Sequence, residues 1–399
     1  MTIVELFSAE PSENVLAACC LKPETVVFLG SASLMTDGRI ANLRAFFRKR
    51  KDPPKLLFLR VAERDYVGAG KAIRDVLAKH PDCCFEMTGG SDLLLAALGT
   101  VSAAGKLNLF EVDVKTQQLR FVQGSVPGVK AGSLRPLRGI PAGDYIRLCG
   151  GTLTESSYRM GDNLPLALEA DVADMWEVYR QEPEIWTKQC SILAGLCAHG
   201  GSGLTVSAEL SEKPAPEHIR RLTEAKLISG YREKGKTVAL TFRDSHVKRT
   251  LSRAGDLLEL WLFLAAKSDP AFTDAIMGAK IQWAGKANRS ATSNEIDGLM
   301  MHGAVPVYVS CKIGSVPKEA LYEVDSVAAR FGGSYAVKAL LCAHLSGNAA
   351  GKDTLRRRAA DMDILLIENV DRLSRVDLLD ALRQHIRRGG VSRLKAFQK

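Results

Sequence analysis

The stretch Asn294-Glu-Ile-Asp297, Gly-Leu-Met-Met-His-Gly-Ala-Val, Pro306-Val-Tyr-Val-Ser-Cys-Lys312 concentrates residue types that phosphodiester chemistry needs. Read as two strands joined by a Gly-containing turn, it puts Glu295 and Asp297 on one face of the first strand, because side chains two apart point the same way. Ser310 and Lys312 share a face of the second strand for the same reason. Pairing the strands brings a carboxylate and an ammonium to one edge of the hairpin. The carboxylate is an oxygen ligand of the kind Mg²⁺ or Mn²⁺ prefers, and the lysine can orient or help deprotonate an attacking water and stabilise phosphorane charge. An apolar helix ahead of the pair, Gly255 to Ala266, adds Glu259, an acid inside an otherwise apolar face.

A second group of residues suits anions. Glu86-Met-Thr-Gly-Gly-Ser91 follows a short apolar strand, Cys83 to Met87, and precedes a helix beginning near Asp92. Thr88, Gly89, Gly90 and Ser91 therefore lie at a strand-to-helix turn, where free N–H groups and the helix dipole favour phosphate. Gly30 and Ser31, in Leu29-Gly-Ser-Ala-Ser33, end an earlier strand at the same sheet edge, where ligands of doubly wound folds bind. No G-x-G-x-x-G or P-loop fingerprint accompanies them. The seven histidines show no ligand spacing, and His302, in the hairpin turn, reads as solvent-exposed. The nine cysteines form no C-x-x-C pair and read as buried thiols.

The elements that must position these residues can be read from periodicity. The first 150 residues alternate short apolar runs (Ile3 to Phe7, Thr25 to Leu29, Lys55 to Val61, Cys83 to Met87) with stretches of helical spacing, and close with a hairpin, Leu107 to Val114 and Leu119 to Val122. Such β-α-β units build a parallel, doubly wound sheet. Gly150-Gly151 breaks the pattern. Pro214 to Leu227 followed by Ile228 to Phe242 outlines a winged helix, and a last segment opens with the apolar helix and returns to strands at Ile296 to Met300, Val305 to Cys311, Ala339 to Ala343 and Asp363 to Ile367. The expected organisation is an N-terminal α/β domain over 1–150, a helical and winged-helix connector over 151–250, and an α/β domain over 251–399.

Composition narrows the class. Hydrophobic residues at 46% and charged residues at 25% exclude a disordered or fibrous chain, and no apolar run approaches the roughly eighteen residues of a membrane span. Met1 to Phe7 lacks the basic start of a secretion signal, so the expected compartment is the cytoplasm. The formal charge is +9. Between His218 and Arg253, ten basic residues stand against three acidic ones, which marks a possible nucleic-acid face; Arg356-Arg357-Arg358 is a second basic run.

Glu259, Asp297 and Lys312 resemble, in order and spacing, the acid, strand aspartate and lysine of the PD-(D/E)xK restriction-endonuclease-like family. Ser310 stands where that family usually has an acid. Variants of the fold move this acid to the following helix, which implies Glu323 or Glu319 here, with Glu323 preferred. The resemblance widens through Ala-Ala-Arg-Phe-Gly-Gly333 and Arg358 to Ile367 to CRISPR ancillary nucleases that carry a CARF sensor domain, in which a Ser-Cys-Lys motif is familiar. It extends in order over nearly the whole chain. The resemblance implies that the Thr-Gly-Gly turn, with Asn14 at the start of the first helix, holds cyclic oligoadenylate across a homodimer. Ser91-Asp92 departs from the usual Thr-Lys continuation.

The implied activity is a metal-dependent nuclease acting on DNA, RNA or both in type III CRISPR antiviral defence. Cyclic tetra-adenylate is the implied activator, and Mg²⁺ or Mn²⁺ the cofactor, held by Asp297, Glu259 and Glu323. The alternative is a ligand-responsive winged-helix regulator whose nuclease-like domain is inactive.

Overall fold

Strands rich in Val, Leu and Phe, spaced by amphipathic helices, assemble a six-stranded sheet from β1 (Thr2–Leu6), β2 (Thr25–Ser31), β3 (Lys55–Val61), β4 (Cys84–Glu86), β5 (Asn108–Asp113) and β6 (Gln118–Gln123), in the order β3-β2-β1-β4-β5-β6. All neighbours are parallel except the β5–β6 hairpin. The computed structural model describes residues 1–130, 132, 139–283, 292–330 and 333–388. Phe331 and Gly332 of the Gly-Gly333 segment, and the last eleven residues of the expected third domain, lie outside them.

Alternation along β1 covers both faces of this sheet. Ile3 packs with α1 (Leu16–Leu21) and α2 (Asp37–Arg48), whereas Val4 and Leu6 pack with α3 (Tyr66–Lys79) and α4 (Asp92–Ala104). Side chains start three of these helices: Thr36, Asp65 and Ser91 each accept a hydrogen bond from a first-turn amide. The chain runs outward from β1 to β3 and returns to β4 beside β1. The carboxyl ends of β1 and β4 thus flank a topological switch point, and the Thr-Gly-Gly turn lies there.

After α5 (Ala142–Leu148), β7 (Gly151–Glu155) and β8 (Tyr158–Arg159), the connector comprises α6 (Leu168–Gln181), α7 (Pro183–His199), β9 (Thr205–Glu209), α8 (Pro216–Glu224), β10 (Ile228–Lys234), β11 (Thr237–Phe242) and α9 (Ser245–Leu251). Its antiparallel sheet has the order β10-β11-β9, so the wing carries a third strand that periodicity did not suggest.

The remaining elements are α10 (Asp256–Ser268), β12 (Asp274–Trp283), β13 (Thr292–His302), β14 (Val305–Val316), α11 (Glu319–Arg330), β15 (Val337–Leu345), α12 (Ala349–Asp361), β16 (Ile364–Ile367) and α13 (Arg375–Arg388). They form a sheet of order β16-β15-β14-β13-β12-β7, with β8 also on β12. Two features differ from the sequence expectation. β12 was not foreseen, because Gly278, at φ +54°, breaks its apolar run. Gly151–Glu155 and Tyr158–Arg159, expected at the head of the connector, are edge strands of this last sheet, paired with residues more than a hundred positions later. No helix among the described residues is long and apolar enough to cross a membrane.

One buried cluster runs from the α1/α2 face of the first sheet through the connector into the last sheet. Its centre is a stack of Trp176 (α6) on Trp261 (α10), with ring centroids 4.3 Å apart and planes within 6°. The stack sets the position of α10, the helix bearing Glu259. Trp176→Ala should cost about 3–5 kcal/mol, the range for truncating a buried aromatic, measurable as a lowered urea midpoint.

Candidate functional site

The antiparallel ladder of β13 and β14 runs from His302↔Val305 to Gly298↔Val309. At the next position the carboxylate of Asp297 bridges the two strands instead. Its Oδ2 accepts hydrogen bonds from the Ser310 hydroxyl (3.0 Å) and the Cys311 N–H (2.8 Å), and lies 3.5 Å from Lys312 Nζ. Its Oδ1 carries no hydrogen bond among the described residues. On the other side of β13, the ladder with β12 passes from Met277↔Gly298 to Ala279↔Ile296 and leaves Gly278 opposite Asp297. A Cβ at Gly278 would lie 2.5 Å from Ser157 Oγ and 3.6 Å from Glu259 Oε2. The absent side chain leaves that space to Ser157 and lets Glu259 come close to the strand opposite Asp297.

Glu259 approaches from the first turn of α10, a helix whose other residues from Leu257 to Ala266 are buried. A carboxylate is favoured in a first turn by the helix dipole, yet its surroundings oppose ionisation. Burial, followed by the charges of Asp297, Asp256 and Glu295, pushes the Glu259 carboxyl up to about 8, with Lys312 acting in the opposite sense. Carboxylates crowded in a buried setting behave in this way. Asp256, one turn before Glu259, was not singled out from sequence, although its i,i+3 spacing was visible. Arg249 of α9 tethers it (Nε to Oδ2, 3.3 Å) and also donates to Ser157 (2.8 Å).

Of the residues expected here, Glu259, Asp297, Ser310 and Lys312 converge. Glu323 is exposed on α11 and does not join them; its charge, after burial and the charge of Asp297, holds up the phenol of Tyr308. Glu319 is exposed and lies against Lys318. Oxygen donors and the unbonded Asp297 Oδ1 suit a hard divalent cation. No set of three potential ligands among the described residues is gathered tightly enough to hold one. Glu259, Asp297 and Glu323 therefore do not form an assembled triad. His302 is half-buried against Phe272, with Nδ1 unpartnered, and is not the exposed residue expected.

At the N-terminal switch point, Gly89 and Gly90 are packed against the end of β1. A Cβ at Gly89 would fall 2.7 Å from the Leu6 carbonyl and 3.2 Å from Glu13 Oε2, and Gly90 has φ +94°. The amides of Gly89, Gly90 and Ser91 have no hydrogen-bond acceptor among the described residues. Gly30 lies as close to Phe7, and the Ser31 hydroxyl bonds that of Ser33. Two expected contacts face inward. Thr88 donates to the buried Glu86 and accepts from Val112 N–H (2.8 Å), and Asn14 spans the loop after β1 through Ser8 and the Glu10 carbonyl. These side chains shape the turn, and its amides remain for an anion. Glu86 pairs in register with the equally buried Glu5, and burial pushes Glu86 up to about 7.

Much of the basic excess is neutralised within the fold. Arg220 and Arg221 pair with Glu217, Glu224 and Glu182, Arg243 with Asp171 and Asp174, and Lys248 donates to the carbonyls of Gly201 and Gly203. Arg356 makes a two-pronged contact with Glu368, and Arg357 pairs with Asp353. Lys234 and Lys236 lie on either side of the wing turn.

The chain is thus an α/β protein built from a mostly parallel six-stranded sheet, a three-stranded winged segment and a larger mixed sheet. Two solved structures share this arrangement. One is protein VC1899 from Vibrio cholerae, with TM-score 0.73, 16% identity and 98% of each chain covered. The other is Can2 from Sulfobacillus thermosulfidooxidans in complex with cyclic tetra-adenylate, with TM-score 0.68, 16% identity, and 96% of this chain and 97% of that one covered. At this identity the likeness is one of fold. No family model and no curated protein matches the sequence.

The raised Glu259 has a consequence for stability. From its ordinary value near 4.5 up to about 8, the folded chain keeps a proton that the unfolded chain has released. Stability therefore falls as pH rises through that window and levels off above it. Glu259→Gln removes the penalty: near pH 8.5 the variant should exceed the parent by ~1–3 kcal/mol in urea unfolding, and near pH 5 the two should nearly coincide.

Proposed function

We propose that this chain is a metal-dependent nuclease gated by a cyclic oligoadenylate, acting in the cytoplasm in type III CRISPR antiviral defence. The observation that carries the reading is the convergence of Asp297, Glu259, Ser310 and Lys312 at an interrupted sheet ladder. The full-length likeness in fold to Can2, solved with cyclic tetra-adenylate, supports it at the N-terminal site. The substrate is DNA, RNA or both. The working unit is a homodimer, since a two-fold ligand needs a two-fold site, each subunit giving one half of the ligand site and one nuclease site.

A divalent cation, Mg²⁺ or Mn²⁺, held by Asp297 and Glu259 with Glu323 as a further ligand, would supply Lewis-acid charge at the scissile phosphate. The protein's own groups do the rest. The Ser310 hydroxyl and the Cys311 amide fix one oxygen of Asp297 and leave the other without a hydrogen bond among the described residues. Lys312, half-buried beside Asp297, orients the attacking water and offsets charge on the phosphorane. Glu259 must release its proton to act as a ligand, so cation binding is expected to strengthen as pH rises toward 8. The free amides of Gly89, Gly90 and Ser91 donate to ligand phosphate, with Gly30 and Ser31 at the same edge.

Two sets of variants test this reading. Asp297→Ala and Lys312→Ala should each lower cleavage of plasmid or single-stranded nucleic acid, assayed with Mn²⁺ and cyclic tetra-adenylate, by at least about 100-fold, in line with loss of a charge-stabilising group, while leaving ligand affinity within about twofold. Undiminished cutting by either would remove that residue from the mechanism. Gly89→Ala, whose methyl group meets a backbone carbonyl that cannot yield, should weaken cyclic tetra-adenylate binding about tenfold or more by calorimetry, the reach of a lost charge-assisted hydrogen bond.

A further inference from the structure

The loop after β1 touches three things at once. Toward the N-terminal ligand turn, the buried Glu13 places Oε2 3.2 Å from the position of a Cβ at Gly89. Toward the nuclease sheet, Glu13 Oε1 accepts a hydrogen bond of 2.6 Å from the Tyr335 hydroxyl, and Glu10 accepts one of 3.2 Å from Ser334 N–H. Toward the β13–β14 turn, the fully buried Ser12 donates to the Ala304 carbonyl at 2.7 Å. Asn14 holds the loop in one shape through its three bonds to Ser8 and Glu10.

These contacts meet the nuclease domain at a consequential place. Tyr335 ends a single 3₁₀ turn, Gly333–Tyr335, between α11 and β15. β15 pairs with β14 from Val307↔Val337 through Ser310↔Leu340 to Lys312↔Cys342. A shift of the corner at Tyr335 therefore moves α11, with Glu323, against the strand bearing Ser310 and Lys312. The Ser12 contact holds the turn of the hairpin that carries Asp297 and Lys312. A phosphate settling on the amides of Gly89 and Gly90 comes up against the Glu13 carboxylate, and like charges this close in a buried setting repel by far more than in water.

We infer that Glu13 and Tyr335 form a latch between the two sites: Glu13 senses the charge of ligand phosphate at Gly89–Gly90, and its bond to Tyr335 holds the nuclease sheet in the resting arrangement until that charge arrives. The inference rests on the ligand-gated reading above and names its regulation within one subunit. Because coupling between two sites is reciprocal, whatever opposes the active arrangement also opposes the ligand. Loosening the latch must tighten ligand binding and raise cutting without ligand.

The test uses the full-length protein, cyclic tetra-adenylate as the probe and three readouts: ligand affinity by calorimetry, cleavage with and without ligand, and melting temperature. Tyr335→Phe removes one hydroxyl from the latch. Glu13→Gln keeps an acceptor oxygen and removes the charge. Both should bind the ligand about five- to tenfold more tightly, at the scale of one charge-assisted hydrogen bond, and Tyr335→Phe should raise ligand-free cutting by a similar factor. The added Asp297→Ala change should abolish that cutting. A merely structural role for Tyr335 would lower melting temperature and ligand affinity together, the opposite sign. If the parent protein responds to ligand and neither variant shifts affinity by more than twofold, the latch is wrong and the gated reading stands. If the parent neither binds nor responds to cyclic tetra-adenylate, the gated reading falls and takes the latch with it.

Discussion

Asp297 stands where the ladder of β13 and β14 ends, and its carboxylate replaces a backbone link between the strands. Most of the catalytic end depends on that substitution. Gly278 lies opposite Asp297 on the neighbouring strand, in unbroken register. Glu259 can approach only because that glycine has no side chain, and the first turn of α10 can point inward only because Trp261 anchors the helix on Trp176. An interrupted ladder, a glycine and an aromatic stack together hold two acids closer than their charges favour. The raised Glu259 is the electrostatic record of that crowding.

The N-terminal end follows a similar logic with different chemistry. Glu5 and Glu86 lie side by side in adjacent strands with almost no exposure, an arrangement that burial and mutual repulsion make costly. Glu86 uses its oxygen to hold the amide and hydroxyl of Thr88, and this fixes the turn so that Gly89, Gly90 and Ser91 present unbonded amides. Side chains that look like ligand contacts in the sequence act one layer further in, and the backbone is left to meet the anion. Strain and desolvation of this kind are retained where function needs a fixed, unsatisfied group.

The buried cluster is continuous from the first sheet through the connector to the last, and the loop after β1 adds polar contacts from Ser12, Glu10 and Glu13 to the β13–β14 turn and the segment before β15. A change at the ligand turn meets packed side chains and defined hydrogen bonds, which transmit displacement because interiors are close-packed. The basic connector fits this picture. Arg243 and Arg249 tie the winged segment to α6 and to the start of α10, and their charge is not free for a nucleic acid.

Period and local chemistry alone determine a good deal of this protein. The β-α-β alternation of the first domain, the helix and wing, the apolar α10 and the shared faces of Glu295 with Asp297 and Ser310 with Lys312 are all visible, because each depends on neighbours a few residues apart. The tertiary structure decides what local pattern cannot carry. β12 is hidden by the glycine that makes it useful, and Gly151–Arg159 join a sheet whose other strands lie more than a hundred residues away. Thr88 turns inward because Val112, 24 residues further on, becomes its neighbour only on folding. Glu323 is implied by the resemblance alone, and the partners of Arg243 and of Arg356 are set by packing beyond their own segments. Types and short spacings are written along the chain. The proximity of distant charges and the burial that shifts them exist only once the sheets have closed.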